Sequence, residues 1–227
     1  MKRFLVTVVC LLLFIGIAFG AMLLLGNIGK STVITDTTCD PPCWHGIQPG
    51  QTTPWEAVSI LEEMGVGGMQ QWGESDEKSE IAWKFHYPVG DSAGYIYSLD
   101  DRVAAISIHT SGSLTLAEAL EKLGEPDSMW MHYEKIEWRH WLEIILVYPT
   151  RGFFVEIDIE LPSTEESALV EIKGNSPVDK VIYFDPAWYE YFLSSRTFFR
   201  EDEQTILERL QPWPGLGEIS YEHLLRD

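Results

Sequence analysis

The sequence predicts an α+β fold: an N-terminal transmembrane helix, then two tandem modules that each pair one helix with an antiparallel meander, then C-terminal helices. Three observations predict it. An uncharged run of 22 residues extends from Phe4 to Leu25. Thr53-Pro54-Trp55-Glu56 and Thr115-Leu116-Ala117-Glu118 share one helix-start signature. Each is followed by runs in which apolar and polar residues alternate, the period of strands with one buried face.

At about 1.5 Å per helical residue the apolar run spans roughly 33 Å, slightly more than a hydrocarbon core. A cleaved signal peptide has a shorter apolar region, of about 7 to 15 residues, so a retained signal-anchor is expected. Cleavage after Gly20, following Ala18-Phe19-Gly20, is the alternative; it would leave Met22 to Leu25 as an apolar new terminus. Lys2 and Arg3 ahead of the run keep the N-terminus cytoplasmic and put residues 31 onward outside. The expected location is the cell membrane, crossed once through residues 4–25, with the C-terminal domain extracytoplasmic. The Gly-Lys-Ser at 29–31 is no phosphate loop, because Leu24 stands where the first glycine is needed and no strand precedes it.

Beyond a linker, 31–45, the first module is expected over 46–111 and the second over 112–185, with a C-terminal helical segment over 186–227. In the first, Thr53 and Glu56 form a capping box and Pro54 takes the first helical position. Ala57, Val58, Leu61 and Met64 then recur at helical spacing up to Gly65. The second repeats this with Thr115 and Glu118, then Ala119, Leu120 and Leu123, stopped by Gly124-Glu125-Pro126. Strands follow each helix. Ile81, Trp83, Phe85 and Tyr87 alternate, and Gly94–Leu99 with Val103–Ile108 reads as a hairpin around Asp100-Asp101. In the second module one long strand is expected from Ile136 to Tyr148, then Phe153–Ile159, Ala168–Ile172 and Val181–Phe184. The connections are too short for parallel crossovers, so the pairing is antiparallel. Asp185-Pro186 starts a helix with Trp188, Tyr191 and Phe192, and a second carries Ile206, Leu207 and Leu210.

Charge excludes one broad class of function. Of 16 Lys and Arg, Lys2, Arg3 and Lys30 lie in the first 30 residues, which hold none of the 35 acids, so residues 31–227 carry a net charge of −22. A domain this acidic repels a phosphate backbone and is no general nucleic-acid binder. The 45% apolar content and nine tryptophans require a folded core.

The segment Thr115-Leu116-Ala117-Glu118-Ala119-Leu120-Glu121-Lys122-Leu123-Gly124-Glu125-Pro126, a helix ahead of a meander, resembles the opening of bacterial envelope α+β domains of the outer-membrane-assembly lipoprotein and β-lactamase-inhibitor-protein type. That resemblance implies protein binding rather than catalysis, with another envelope or surface protein as partner. The segment from Pro42 to Thr52 is similar to the start of extracytoplasmic proteins of unknown function, which carries no activity over. The chain departs from the lipoprotein pattern in lacking a lipidation cysteine, so outer-membrane assembly is not implied.

Among candidate sites, Cys39-Asp40-Pro41-Pro42-Cys43 is the clearest, since two cysteines four apart outside the membrane can close a disulfide. His45 would offer a third ligand to a metal, but no fourth is spaced to complete a tetrahedral site. Cys10 is left over in the membrane run. No His-Glu-x-x-His, Gly-x-Ser-x-Gly or Ser-x-x-Lys occurs, so no residue is assigned as catalytic and no cofactor or metal is implied. His132 and His140 read as even-spaced neighbours on one strand. The pairs Glu62-Glu63, Asp100-Asp101 and Glu165-Glu166 read as solvated or turn residues. Trp55, Trp83 and Trp138 sit at positions expected to be core, whereas Trp72, Trp130 and Trp141 are the ones available to stack on a sugar. The expectation is a membrane-anchored extracytoplasmic binding or interaction domain without enzymatic activity. The alternatives are a hydrolase without a recognisable motif and a carbohydrate-binding surface module.

Overall fold

Eight strands pair side by side in the order β1-β2-β3-β4-β9-β7-β6-β5, every neighbouring pair antiparallel. They are β1 (Gly67–Ser75), β2 (Glu80–His86), β3 (Ala93–Leu99), β4 (Arg102–His109), β5 (Ser128–Ile136), β6 (Arg139–Tyr148), β7 (Phe153–Leu161) and β9 (Lys180–Phe184). Between β7 and β9 in sequence, β8 (Leu169–Ile172) leaves this sheet and pairs with β10 (Gly217–Ser220). The computed structural model describes residues 34, 39, 42–75, 80–86, 93–136, 138–162, 168–195 and 197–226, with backbone alone over 67–75, 80–86, 93 and 226. The expected membrane segment, Cys10, Tyr87 and Glu165-Glu166 lie outside them. Among the described residues no helix is long and apolar enough to cross a membrane.

The two expected helices form where their caps place them: α1 (Pro54–Glu63) and α2 (Leu116–Leu123). Glu56 accepts from the Thr53 N–H at 2.8 Å, and Thr53 Oγ1 accepts from the Glu56 N–H at 3.3 Å. Thr115 and Glu118 repeat the exchange at 2.9 and 3.4 Å. Two donors that a helix start leaves orphaned are satisfied in each case. Ala57 and Leu61 on α1, and Leu116, Ala119 and Leu123 on α2, are buried in the same core.

Strand alternation sorts the sheet into two faces. On β7, Phe153, Val155, Ile157 and Ile159 join the first core, as do Leu142, Ile144 and Leu146 on β6 and Val181 and Tyr183 on β9. That face is covered by α1 and α2, by Ile172 of β8 and Ile219 of β10, by Tyr221 just after β10, and by Leu224 of the closing 3₁₀ turn Glu222–Arg226. The opposite face carries Phe154, Phe184, Ile182, Trp130, Ile145 and Val147, which form a second core with the C-terminal segment. That segment supplies Phe192 and Leu193 from α3 (Tyr189–Ser194), Phe198 and Phe199 from a loop, and Ile206 from α4 (Glu203–Arg209). At roughly 1.5–3 kcal/mol per buried large apolar side chain, each layer contributes substantially. Gly152 makes the β6–β7 turn possible: its φ is +75°, and a Cβ there would fall 2.2 Å from the Phe184 carbonyl oxygen.

Several expectations are corrected. Ile136 to Tyr148 is not one strand, because the chain turns back after Ile136 and pairs it with Arg139. Such a two-residue turn inverts the parity of alternation, so odd residues of β5 and even residues of β6 share the first face. β1 and the body of β5, each the opening strand of its meander, were not anticipated. The 186–227 segment is not purely helical, since it carries β10. Its first helix is divided into a 3₁₀ turn, Pro186–Trp188, and α3. Order also begins earlier than 46: Trp44 is buried and its backbone pairs with Ile47 at 2.9 and 3.0 Å. The hairpin at Asp100-Asp101 is present, with both residues at positive φ, 50° and 60°.

Candidate functional site

The residues singled out in the sequence do not gather into one site. Cys39 and Cys43 have their sulfurs at bonding distance, with Cα atoms 5.8 Å apart, a span that suits a disulfide. His132 and His140 lie on different strands and on opposite faces. His132 meets Glu201 at 3.0 Å and stacks on Trp130, whereas the His140 ring meets the Tyr133 hydroxyl at 2.7 Å beside the first core. The tryptophans are partly reversed: Trp55 and Trp138, expected in the core, are 68% and 64% exposed, while Trp130 is fully buried. Trp138 sits at the β5–β6 turn with Arg139 4.6 Å over its ring. Trp141 is half-buried, and the side chains of Trp72 and Trp83 lie outside those described.

A different cluster emerges from the second face. There β5, β6, β7 and β9 are apolar at the end under the C-terminal segment and charged at the other. Along β7 the face reads Phe154, Glu156, Asp158, Glu160, and along β6 it reads Val147, Ile145, Glu143. Register places Glu156 opposite Lys180 of β9, Lys180 opposite His109 of β4, and Glu143 between Asp158 and His132. Antiparallel pairing therefore converts positions distant in sequence into adjacent rows of charge.

The geometry within these rows is close. The Lys180 ammonium donates to both Glu156 oxygens, at 2.5 and 2.6 Å. Arg200 comes down from the C-terminal segment, donates to Glu134 and stands 3.5 Å by its Nε from Glu143 Oε2. Asp179 accepts from the Asp158 N–H at 2.7 Å. One oxygen each from Glu143, Glu156 and Asp158 lies within 4.8 Å of the others. Glu143 is 8% exposed, and its Oε2 makes no hydrogen bond.

Burial pushes the Glu143 carboxyl up to about 7, with Glu156 adding to it and Arg200 opposing. Asp158, which is exposed, is pushed up to about 6, first by desolvation against the sheet and then by Glu156 and Asp179. Asp179 is raised mainly by burial as well, partly offset by its bond from the Asp158 N–H. Burial works against the Arg200 charge, yet Glu143 and Glu134 outweigh it and hold the guanidinium charged. Burial likewise raises the Tyr97 phenol, helped by Tyr95 and Glu156.

Between these groups opens a cavity of about 280 Å³. Tyr95, Tyr97 and His109 form one wall, Glu143, Glu156 and Lys180 the floor, and Thr197 to Arg200 the lid side. Drug-sized ligands ordinarily occupy about 300–1,000 Å³, so this space suits a side chain or an ion. The sequence held one signal for it: Glu143 is the lone charge in the apolar stretch Trp141-Leu142-Glu143-Ile144-Ile145-Leu146.

Chain and site together define an α+β protein with a mostly antiparallel sheet and, on one face, a carboxylate cluster in which Glu143 and Glu156 are buried and Asp158 is exposed. In comparisons with protein families, curated proteins and solved structures, nothing matches the chain.

Proposed function

We propose that this chain is a membrane-held, extracytoplasmic binding domain without enzymatic activity, which grips a basic segment of another envelope or surface protein at the charged half of its second sheet face. The observation that supports this reading is the excess of carboxylates there: among the described residues, Glu134, Glu143, Glu156, Asp158 and Asp179 stand with Lys180 and Arg200 as the cations of their ion pairs. The net charge of −22 beyond residue 30 would steer a basic partner toward the domain. A protein-binding role is also what the resemblance at Thr115 to Pro126 implies.

The finer fold reading belongs to the same proposal. Modules 46–111 and 112–185 are tandem copies: β1-β2-β3-β4 runs inward from one edge, β5-β6-β7-β9 runs inward from the other, and the two meet at the antiparallel β4–β9 pair.

The test is a photo-crosslinker placed at Tyr97 in the full chain in intact cells. The expected result is one protein adduct that disappears on Asp158→Lys and persists on Trp55→Ala. An adduct indifferent to Asp158→Lys overturns the site. In the same cells Cys39 and Cys43 should resist alkylation until reductant is added, since a disulfide in an oxidising compartment offers no thiolate. Ready labelling without reductant contradicts the extracytoplasmic placement.

A second reading has its own observation. Trp55 projects beside Gln48, Gln51 and Thr52 along an open groove, an aromatic face with amide donors of the kind that stacks on sugars. Glycan binding that is lost on Trp55→Ala, with no adduct at Tyr97, would favour it.

A further inference from the structure

We infer that Glu143, Glu156 and Asp158 form a divalent-cation site, suited to Ca²⁺, on the second face of the sheet. The inference concerns the site itself and holds independently of any partner.

An acidic cluster alone would not carry it, since exposed carboxylates crowd many acidic surfaces. Glu143 makes the difference. It is 8% exposed, its strand neighbours Leu142 and Ile144 are fully buried in the first core, and it lines the cavity with an oxygen that makes no hydrogen bond. A buried carboxylate oxygen without a donor costs free energy unless something positive reaches it. Arg200 pairs with that oxygen through its Nε at 3.5 Å but makes no hydrogen bond to it, and its other nitrogen serves Glu134, so the oxygen keeps a lone pair to offer.

Donor chemistry then selects the ion. Three carboxylates suit a hard cation, and Ca²⁺ accepts irregular oxygen sets at about 2.3–2.6 Å, whereas Mg²⁺ demands near-ideal octahedral geometry at about 2.0–2.1 Å and dehydrates reluctantly. One oxygen of each carboxylate lies within 4.8 Å of the other two, close enough for a single ion to draw them together. The ligands come from two paired strands, with Glu143 directly opposite Asp158 and Glu156 two residues along β7 on the same face. Their backbones are fixed by the sheet ladder, so binding orders little. Water reaching the exposed Asp158 side of the cluster would complete the coordination. Lys180 stays on Glu156, and its charge weakens the site, which places the affinity in the range of about 10⁻⁴–10⁻³ M typical of extracellular Ca²⁺ modules.

The experiment is calorimetric titration of the chelator-treated full chain, in non-ionic detergent and moderate salt, with CaCl₂ and separately with MgCl₂. One Ca²⁺ per chain is expected, with Mg²⁺ clearly weaker. Glu143→Gln and Asp158→Asn should each weaken Ca²⁺ at least tenfold, and Glu160→Gln, farther along β7 on the same face, should leave it unchanged. Asp158 is exposed, so its variant remains informative if Glu143→Gln fails to fold. No saturable heat up to roughly tenfold above the expected range, or equal binding by Asp158→Asn and wild type, overturns the site; the second result would mean diffuse attraction of Ca²⁺ to an acidic surface.

Discussion

Glu143 shows what one charge costs when a strand carries it under a lid of other side chains. Its carboxyl is pushed up to about 7 and that of Asp158 to about 6, from the usual 4.5 and 3.8. Without a bound cation the folded chain therefore keeps protons that the unfolded chain would release. The two groups stabilise the fold below about pH 4, and that contribution is lost as pH rises through 6 and then 7. Carboxylates such as Glu56, held below the usual range by its bonds from Thr53, work in the opposite sense, so the wild-type profile alone decides nothing. The informative quantity is a difference. In chelator, the Tm of wild type relative to Glu143→Gln should fall between pH 5 and pH 8, as read by circular dichroism. Parallel profiles would show that Glu143 is not the buried acid described. The residue was visible in the sequence as a lone charge, but its partners were not. Asp158 and Lys180 reach it only through pairings that no local pattern announces.

Elements were legible where local chemistry dictates them. Both capped helices follow from a Thr-x-x-Glu signature that satisfies the same donors in the structure, and the Asp100-Asp101 hairpin follows from two residues that tolerate positive φ. The β5–β6 hairpin was not legible. The sequence between Ile136 and Arg139 holds no glycine or asparagine, and Ile136, Trp138 and His140 continue an apparent alternation past the point where the chain turns back. That single misreading placed His132 and His140 on one strand and Trp138 in the core. β8 was assigned to the meander because its true partner, β10, comes from the far end of the chain. The helices give the sharpest test at this scale. Leu61 and Leu123 are 0% and 3% exposed, so Leu61→Ala or Leu123→Ala should cost about 2–5 kcal/mol by denaturant titration. Thr115→Ala, which removes only a cap, should cost about 1 kcal/mol. A leucine variant costing no more than the cap variant would mean that its helix does not seal the first core.

At the scale of the molecule, the second face divides into an apolar half that must be covered and a charged half in which Glu143, Glu156 and Lys180 line a small cavity. The C-terminal segment sets the boundary. Phe192, Phe198, Phe199 and Ile206 close over Phe154, Phe184, Ile182 and Trp130, and the same segment ends its cover with Arg200 above Glu143 and Glu134. Phe199 meets Trp130 and Phe154 edge-on, each with ring centroids 5.2 Å apart, an arrangement that adds to area burial in fixing the segment. A chain ending at Asp185 would leave these sheet residues in water as one contiguous apolar patch, the kind that drives association. The shortened protein should therefore self-associate on size-exclusion chromatography, and amides of β7 and β9 should lose exchange protection. It would also lack β10 and Arg200, so two substitutions separate the causes. Phe199→Ala should reproduce the loss of protection at β7 while keeping every charge in place. Arg200→Ala should leave that protection intact, because the apolar seal does not depend on the guanidinium. If Arg200→Ala loosened β7 and Phe199→Ala did not, the segment would be held by its ion pairs, and the apolar half would not be what fixes it to the sheet.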